Sequence, residues 1–314
     1  MAALNQTQPP RPRNGGEGEG EGAARGIGAR LREYVLLVRL HRPIGIFLLL
    51  WPVLWALWFA AGGVPELHVL AVFVLGTVLM RSAGCAVNDY ADRDFDPHVA
   101  RTRDRPLAAG RVRAREAMGV FVVLALIAFA LVLTLNAYTI ALSFVGAFLA
   151  ASYPFMKRYT HLPQFYLGAA FGWGVPMAFA AQTGAIPPLA WVLFAATLLW
   201  AVAYDTAYAM VDRADDLRIG VKSTAILFGR ADRALIALAH MGVLFLLALA
   251  GVWAGRGLLY AMGLGVAALL ALYQQWLMRA REPKACFAAF LNNHYFGASV
   301  FAGLALDYLM ETDG

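Results

Sequence analysis

Asn88, Asp89, Asp92 and Asp96 lie in the run Asn88-Asp89-Tyr90-Ala91-Asp92-Arg93-Asp94-Phe95-Asp96, at the end of a stretch apolar enough to sit in lipid. Negative charge is costly there, and acidic side chains beside a membrane span face a cavity and mark a functional path. Asp89, Asp92 and Asp96 are spaced by three and four, which on an α-helix stacks them on one face. Stacked like charges need a cation, and an all-oxygen donor set suits a hard ion such as Mg²⁺. A second group, Asp212-Arg213-Ala214-Asp215-Asp216, also follows an apolar stretch, and Asp212 to Asp216 repeats the spacing of Asp92 to Asp96. Tyr208 and Asp205 extend this second face backward, as Asn88, Cys85 and Arg81 extend the first. Two helices are therefore expected to present polar stripes to one shared cavity.

Two opposed carboxylate pairs with arginines beside them are suited to divalent cations that hold a polyanion such as diphosphate. Arg101, Arg103 and Arg105, in Arg101-Thr102-Arg103-Asp104-Arg105-Pro106-Leu107, and Lys222 can neutralise phosphate oxygens directly. A diphosphate next to lipid suggests a polyprenyl diphosphate, whose head is charged and whose tail belongs in hydrocarbon. Stabilising the departing diphosphate would promote C–O ionisation to an allylic cation, which an acceptor then captures.

The elements that must position these residues are membrane spans. The 314 residues are 61% hydrophobic and only 15% charged, with mean hydropathy +0.61, far too apolar for an ordinary soluble domain. Windows of about 20 residues predict nine spans, near 44–63, 67–88, 117–135, 138–155, 165–182, 187–207, 234–254, 257–277 and 286–308. The fold class is all-α and polytopic, two four-helix repeats plus a ninth helix around a central cavity, and such repeats place functional sites at their interface. Lys and Arg cluster after the second, fourth, sixth and eighth spans, whereas the opposite loops hold little beyond Glu66 and Arg256. The positive-inside rule puts the amino terminus and both acidic clusters on the cytoplasmic side.

Residues 1–28, with the run Glu17-Gly18-Glu19-Gly20-Glu21-Gly22, read as a disordered tail. Residues 29–42 read as an amphipathic helix on the interface, and 43–310 as the transmembrane domain. The acidic repeat argues against a mitochondrial transit peptide, so a bacterial inner membrane is expected. The pI near 9.5 is accounted for by basic loops facing anionic lipid, without a nucleic-acid partner. Cys85 and Cys286 give neither a disulfide framework nor metal-ligand spacing and read as packing residues. Asn292, Asn293 and His294 read as interhelical hydrogen-bonding groups. Nothing in the sequence sets the oligomeric state or the length of the prenyl chain.

From about Tyr34 to Tyr308 the chain resembles the UbiA superfamily of intramembrane prenyltransferases. Asn88-Asp89-x-x-Asp92-x-x-x-Asp96 resembles the first aspartate-rich motif of that family and Asp212-x-x-x-Asp216 the second. Arg42-Pro43-Ile44-Gly45 leading to Leu50-Trp51-Pro52, Tyr153-Pro154-Phe155-Met156-Lys157-Arg158-Tyr159-Thr160, and Tyr208-Ala209-Met210-Val211-Asp212 are most similar to the branch that prenylates 4-hydroxybenzoate. His41 and Ala214 depart from that branch, at positions where acidic residues are common. The resemblance implies that Asp92, Asp96, Asp212 and Asp216 carry Mg²⁺ and diphosphate, with Asn88 and Asp89 in support. It also implies that Arg158 holds the aromatic acid or the diphosphate. The activity implied is Mg²⁺-dependent transfer of a polyprenyl group to 4-hydroxybenzoate, ortho to its hydroxyl, in ubiquinone synthesis. A naphthoate, a haem or a chlorophyllide is the alternative acceptor within the superfamily. A cation-coupled transporter is the alternative outside it, disfavoured because both acidic clusters lie away from the bilayer midplane.

Overall fold

Backbone amides in lipid have no water to bond, so apolar runs of this length satisfy them within helices. In the computed structural model, which describes residues 18–99 and 101–312, the regular elements are all helical. The α-helices are α1 (Gly18–Leu37), α2 (Ile44–Ala61), α3 (Leu67–Asp92), α4 (Ala114–Val132), α5 (Ala137–Ser152), α6 (Pro163–Gly172), α7 (Gly174–Thr183), α8 (Pro188–Ile219), α9 (Thr224–Phe228), α10 (Asp232–Trp253), α11 (Leu258–Leu277) and α12 (Pro283–Thr312).

Among the described residues, 7 helical segments are long and apolar enough to cross a membrane. The expected count of nine is not reached by that measure. The fifth expected span, 165–182, is broken at Trp173 into α6 and α7, and the ninth falls on α12, long enough but diluted by Asn292, Asn293 and His294. Those residues are structural, as expected. Asn293 Oδ1 accepts from Trp200 Nε1 at 2.9 Å, Gln274 Nε2 donates to Asn292 Oδ1 at 3.0 Å, and Trp51 Nε1 donates to His294 Nδ1 at 3.2 Å. Cys85 and Cys286 are buried free thiols.

The amino-terminal boundaries differ from expectation. Helix α1 begins at Gly18, inside the stretch assigned to the tail. Residues 1–17 of that tail lie outside the described residues. The helix stops at Leu37 and not Arg42, and the chain turns through Arg39, whose φ is +57°. Leu37 is buried with Ala86, Val112 and Ala117, while Leu31 and Val35 are exposed. Ion pairs from Arg30 to Glu116 and from Arg111 to Glu33, the latter at 2.9 Å, tie α1 to α4 and to the loop before it.

The core centres on Trp55, Trp200 and Phe296, with ring centroids 5.3 Å apart for the first pair and 5.6 Å for the second. Close contact between α11 and α12 depends on Gly263 and Gly303, which face each other. A Cβ at Gly303 would lie 2.8 Å from the Leu259 carbonyl oxygen and 2.9 Å from Gly263 Cα. Gly303→Val should therefore push these helices apart and cost about 1–3 kcal/mol, read as a lower Tm in detergent.

Candidate active site

Helix α3 carries the first acidic run to its end and α8 carries the second, and both ends open on one cavity of about 510 Å³. On α8, Asp205, Tyr208, Asp212 and Asp216 line the cavity, as helical spacing requires. The helix continues to Ile219 and stops where Gly220 adopts φ +74°, a left-handed residue that ends a helix without a Cβ penalty. The chain then turns back, placing Lys222 and Ser223 on the cavity wall.

The first cluster is arranged differently from the continuous face expected. Helix α3 ends at Asp92, and Asp96 begins a separate 3-10 turn, Asp96–His98. Pro97 explains the break, since the residue before a proline is disfavoured in helix and proline supplies no amide donor. Arg81, Asn88, Asp92 and Asp96 still line the cavity, but Asp89 does not. The Thr102 hydroxyl donates to the Asp96 carbonyl oxygen at 2.8 Å and fixes the turn.

Basic groups meet three of these acids. Lys157 pairs with Asp92, Arg101 with Asp212, and Arg105 Nη1 with Asp96 Oδ2 at 2.8 Å. The Arg101 guanidinium also lies 4.1 Å from the Tyr208 ring centroid, a cation–π contact. Lys222 Nζ donates to the Tyr159 carbonyl oxygen at 3.4 Å. Asp216 has no ion-pair partner among the described residues. Burial pushes the Asp96 carboxyl above its ordinary range, against the pull of Arg105.

Arg158 does not line the cavity. It donates to the Ala91 carbonyl oxygen and its guanidinium lies 5.3 Å from the Phe95 ring centroid and 5.6 Å from that of Phe155. The reason is local. Tyr153–Arg158 is a 3-10 helix, in which residues three apart eclipse. Pro154 and Lys157 therefore share the cavity face, and Phe155 and Arg158 share the other. In the sequence Lys157 was visible only as one of many basic loop residues.

Arg81 lies deeper, where α3 passes α2. It lines the acidic cavity and also an adjoining apolar chamber of about 210 Å³, and Tyr153 and Phe171 likewise belong to both. Its guanidinium occupies the space above Gly45, which a Cβ at that position would fill. The guanidinium donates to Cys85 Sγ, its Nε is buried without a partner, and no carboxylate pairs with it among the described residues. A half-buried cation without a carboxylate partner suits an anionic ligand group.

No three ligating side chains converge closely enough among the described residues to hold a metal ion. The donor set nonetheless fits a hard cation. Its donors are carboxylate oxygens, and among the described residues Asp92 Oδ1 is buried with no hydrogen-bond partner and Asp216 forms no ion pair.

An all-helical membrane protein with two acidic helix ends facing each other across a cavity next to an apolar chamber has the architecture of an intramembrane transferase. Residues 49–300 match the UbiA prenyltransferase family, and the chain belongs to that family. Proteins named 4-hydroxybenzoate octaprenyltransferase from Methylococcus capsulatus and Alkalilimnicola ehrlichii are 63% and 62% identical to it, over 90% and 88% of this chain and 97% and 95% of theirs. A UbiA homologue from Aeropyrum pernix superposes with a TM-score of 0.74 at 26% identity, covering 84% of this chain and 97% of its own. A homologue from Archaeoglobus fulgidus bound to DMAPP and Mg²⁺ shares the fold, with a TM-score of 0.64 at 18% identity over 87% of this chain and 99% of its own.

Proposed function

We propose that this protein transfers a polyprenyl group from polyprenyl diphosphate to 4-hydroxybenzoate, ortho to the hydroxyl, for ubiquinone synthesis. The observation that carries the reading is the junction at Arg81, Tyr153 and Phe171. There a cavity walled by paired acids and bases meets an apolar chamber. A charged diphosphate and its hydrocarbon tail need those two environments side by side. The relatives named 4-hydroxybenzoate octaprenyltransferase supply the acceptor.

The chain's residues divide the work. Arg101, Arg105, Lys157 and Lys222 hold the diphosphate oxygens, with Tyr208 stacked on Arg101 to fix it. Asp92, Asp96, Asp212 and Asp216 would hold Mg²⁺, which supplies positive charge for the departing diphosphate. Asn88 faces the same space and offers an amide to either substrate. Arg81 takes the benzoate carboxylate, orienting the ring toward the chamber from which the prenyl carbon arrives. The C–O bond breaks with its electron pair leaving on diphosphate. The ring carbon ortho to the hydroxyl then bonds the allylic carbon, and loss of its proton restores aromaticity. Tyr153, Phe171 and Tyr204 wall off water that would otherwise capture the cation.

The basic loops on the side of the acidic clusters support a cytoplasmic cavity and amino terminus in a bacterial inner membrane. Helix α1 lies on that interface, and residues 43–310 form the transmembrane catalytic domain.

Gly45→Ala tests the role of Arg81. The added methyl displaces the guanidinium and should raise the KM for 4-hydroxybenzoate about tenfold with kcat little changed, measured by initial rates. The reading as a whole is tested with membranes, radiolabelled 4-hydroxybenzoate and a prenyl diphosphate, with Mg²⁺ or EDTA. Labelled prenyl product that requires Mg²⁺ is expected. No product across several chain lengths would overturn the acceptor assignment.

A further inference from the structure

Asp89 stands apart from the rest of its motif. Its side chain is 1% exposed and does not line the cavity, although its neighbour Asn88 does. Its Oδ1 accepts from two guanidiniums that arrive from different segments. One is Arg39, from the corner between α1 and α2; the other is Arg105 Nη1, from the loop before α4, at 3.2 Å. Its Oδ2 is buried without a partner among the described residues, so the pairing rests on one oxygen.

Both arginines line the cavity. Arg105 spans from Asp89 to Asp96, and Arg39 holds its left-handed φ of +57°, which costs energy for a residue with a Cβ. Such a conformation persists where surrounding contacts impose it, and the ion pair to Asp89 is such a contact. Free arginine side chains lose rotamer freedom on binding a phosphate, whereas arginines already anchored lose less.

We propose that Asp89 is a positioning residue for prenyl transfer, the shared anchor that pre-sets Arg39 and Arg105 for the diphosphate. It does not itself hold substrate. The proposal rests on the prenyl-transfer reading above for its kinetic consequence, but the anchoring itself requires no substrate to observe.

The test combines two readouts on the full chain. Cys85 and Cys286 are buried, so a nitroxide placed by Leu40→Cys, at an exposed position next to Arg39, reports the mobility of the corner. Asp89→Asn and Arg39→Gln should each mobilise the label, and the double variant should mobilise it no further than either alone. Asp89→Asn should also raise the KM for prenyl diphosphate about tenfold while kcat changes less than about twofold. If Asp89→Asn does not fold, Arg39→Gln carries both readouts from the other partner. A label that stays immobile while kcat falls about a hundredfold or more would overturn the proposal and place Asp89 among the groups that act on substrate. If the wild type fails to prenylate 4-hydroxybenzoate, the prenyl-transfer reading fails, and the label comparison still decides whether Asp89 anchors the corner.

Discussion

Asp92→Asn and Asp212→Asn are each expected to lower kcat about a thousandfold while leaving the helices in place. Asparagine keeps the shape of the side chain and removes its charge. Each carboxylate sits at the mouth of a different helix, α3 or α8, and each is paired with a base from a different loop, Lys157 or Arg101. On the proposed reading, loss of either carboxylate removes a cation ligand and leaves Lys157 or Arg101 without the counter-ion that positions it. The effect should fall on kcat more than on the KM for 4-hydroxybenzoate, because the charge it compensates develops as the C–O bond breaks. Initial rates in membranes, with circular dichroism to check helix content, measure it. A loss smaller than tenfold in both variants would mean that the facing acidic pairs do not stabilise the leaving group.

Filling the apolar chamber should separate long substrates from short ones. Gly76 lines that chamber, and a Cβ there would meet nothing within 4 Å, so a side chain can grow into the space without a backbone clash. Gly76→Phe should lower kcat/KM for a long polyprenyl diphosphate about a hundredfold and leave dimethylallyl diphosphate within a few-fold of wild type. The chamber is walled by Phe73, Phe129, Trp173 and Met177, with Arg81, Thr77, Ser143 and Tyr153 among the polar residues in its lining. A phenyl ring there takes up space that a hydrocarbon tail would need. Competition assays with two chain lengths in one reaction give the ratio directly. Equal losses for both lengths would place the tail elsewhere, along α2 and α12 where the acidic cavity meets Leu48 and Phe290.

These expectations depend on α3 and α8 facing each other, a feature with different visibility along the chain. The α8 stripe was legible in full, because Asp205, Tyr208, Asp212 and Asp216 lie on one uninterrupted helix and helical periodicity fixes their common face. The α3 stripe was legible only to Asp92. Beyond it the spacing of Asp96 still looked helical, but Pro97 had already turned the chain. Asp96 returns to the cavity through a 3-10 turn held by Thr102, a contact that spacing alone does not reveal.

The amino-acid sequence by itself determined the membrane class, the all-helical fold, the two acidic clusters and the gathering of basic residues in alternate loops. Each follows from composition or local periodicity, which act within a few turns of chain. Only the tertiary structure decided which charges meet. It turned Lys157 into the cavity and Arg158 away from it, because a 3-10 turn has three residues per turn. It set Arg81 over Gly45, and it withdrew Asp89 from the cavity to bind Arg39, 50 residues away in sequence, and Arg105. Pairings of that kind depend on how separate segments pack, and side-chain spacing along one helix carries no information about the partner that a neighbouring segment will bring.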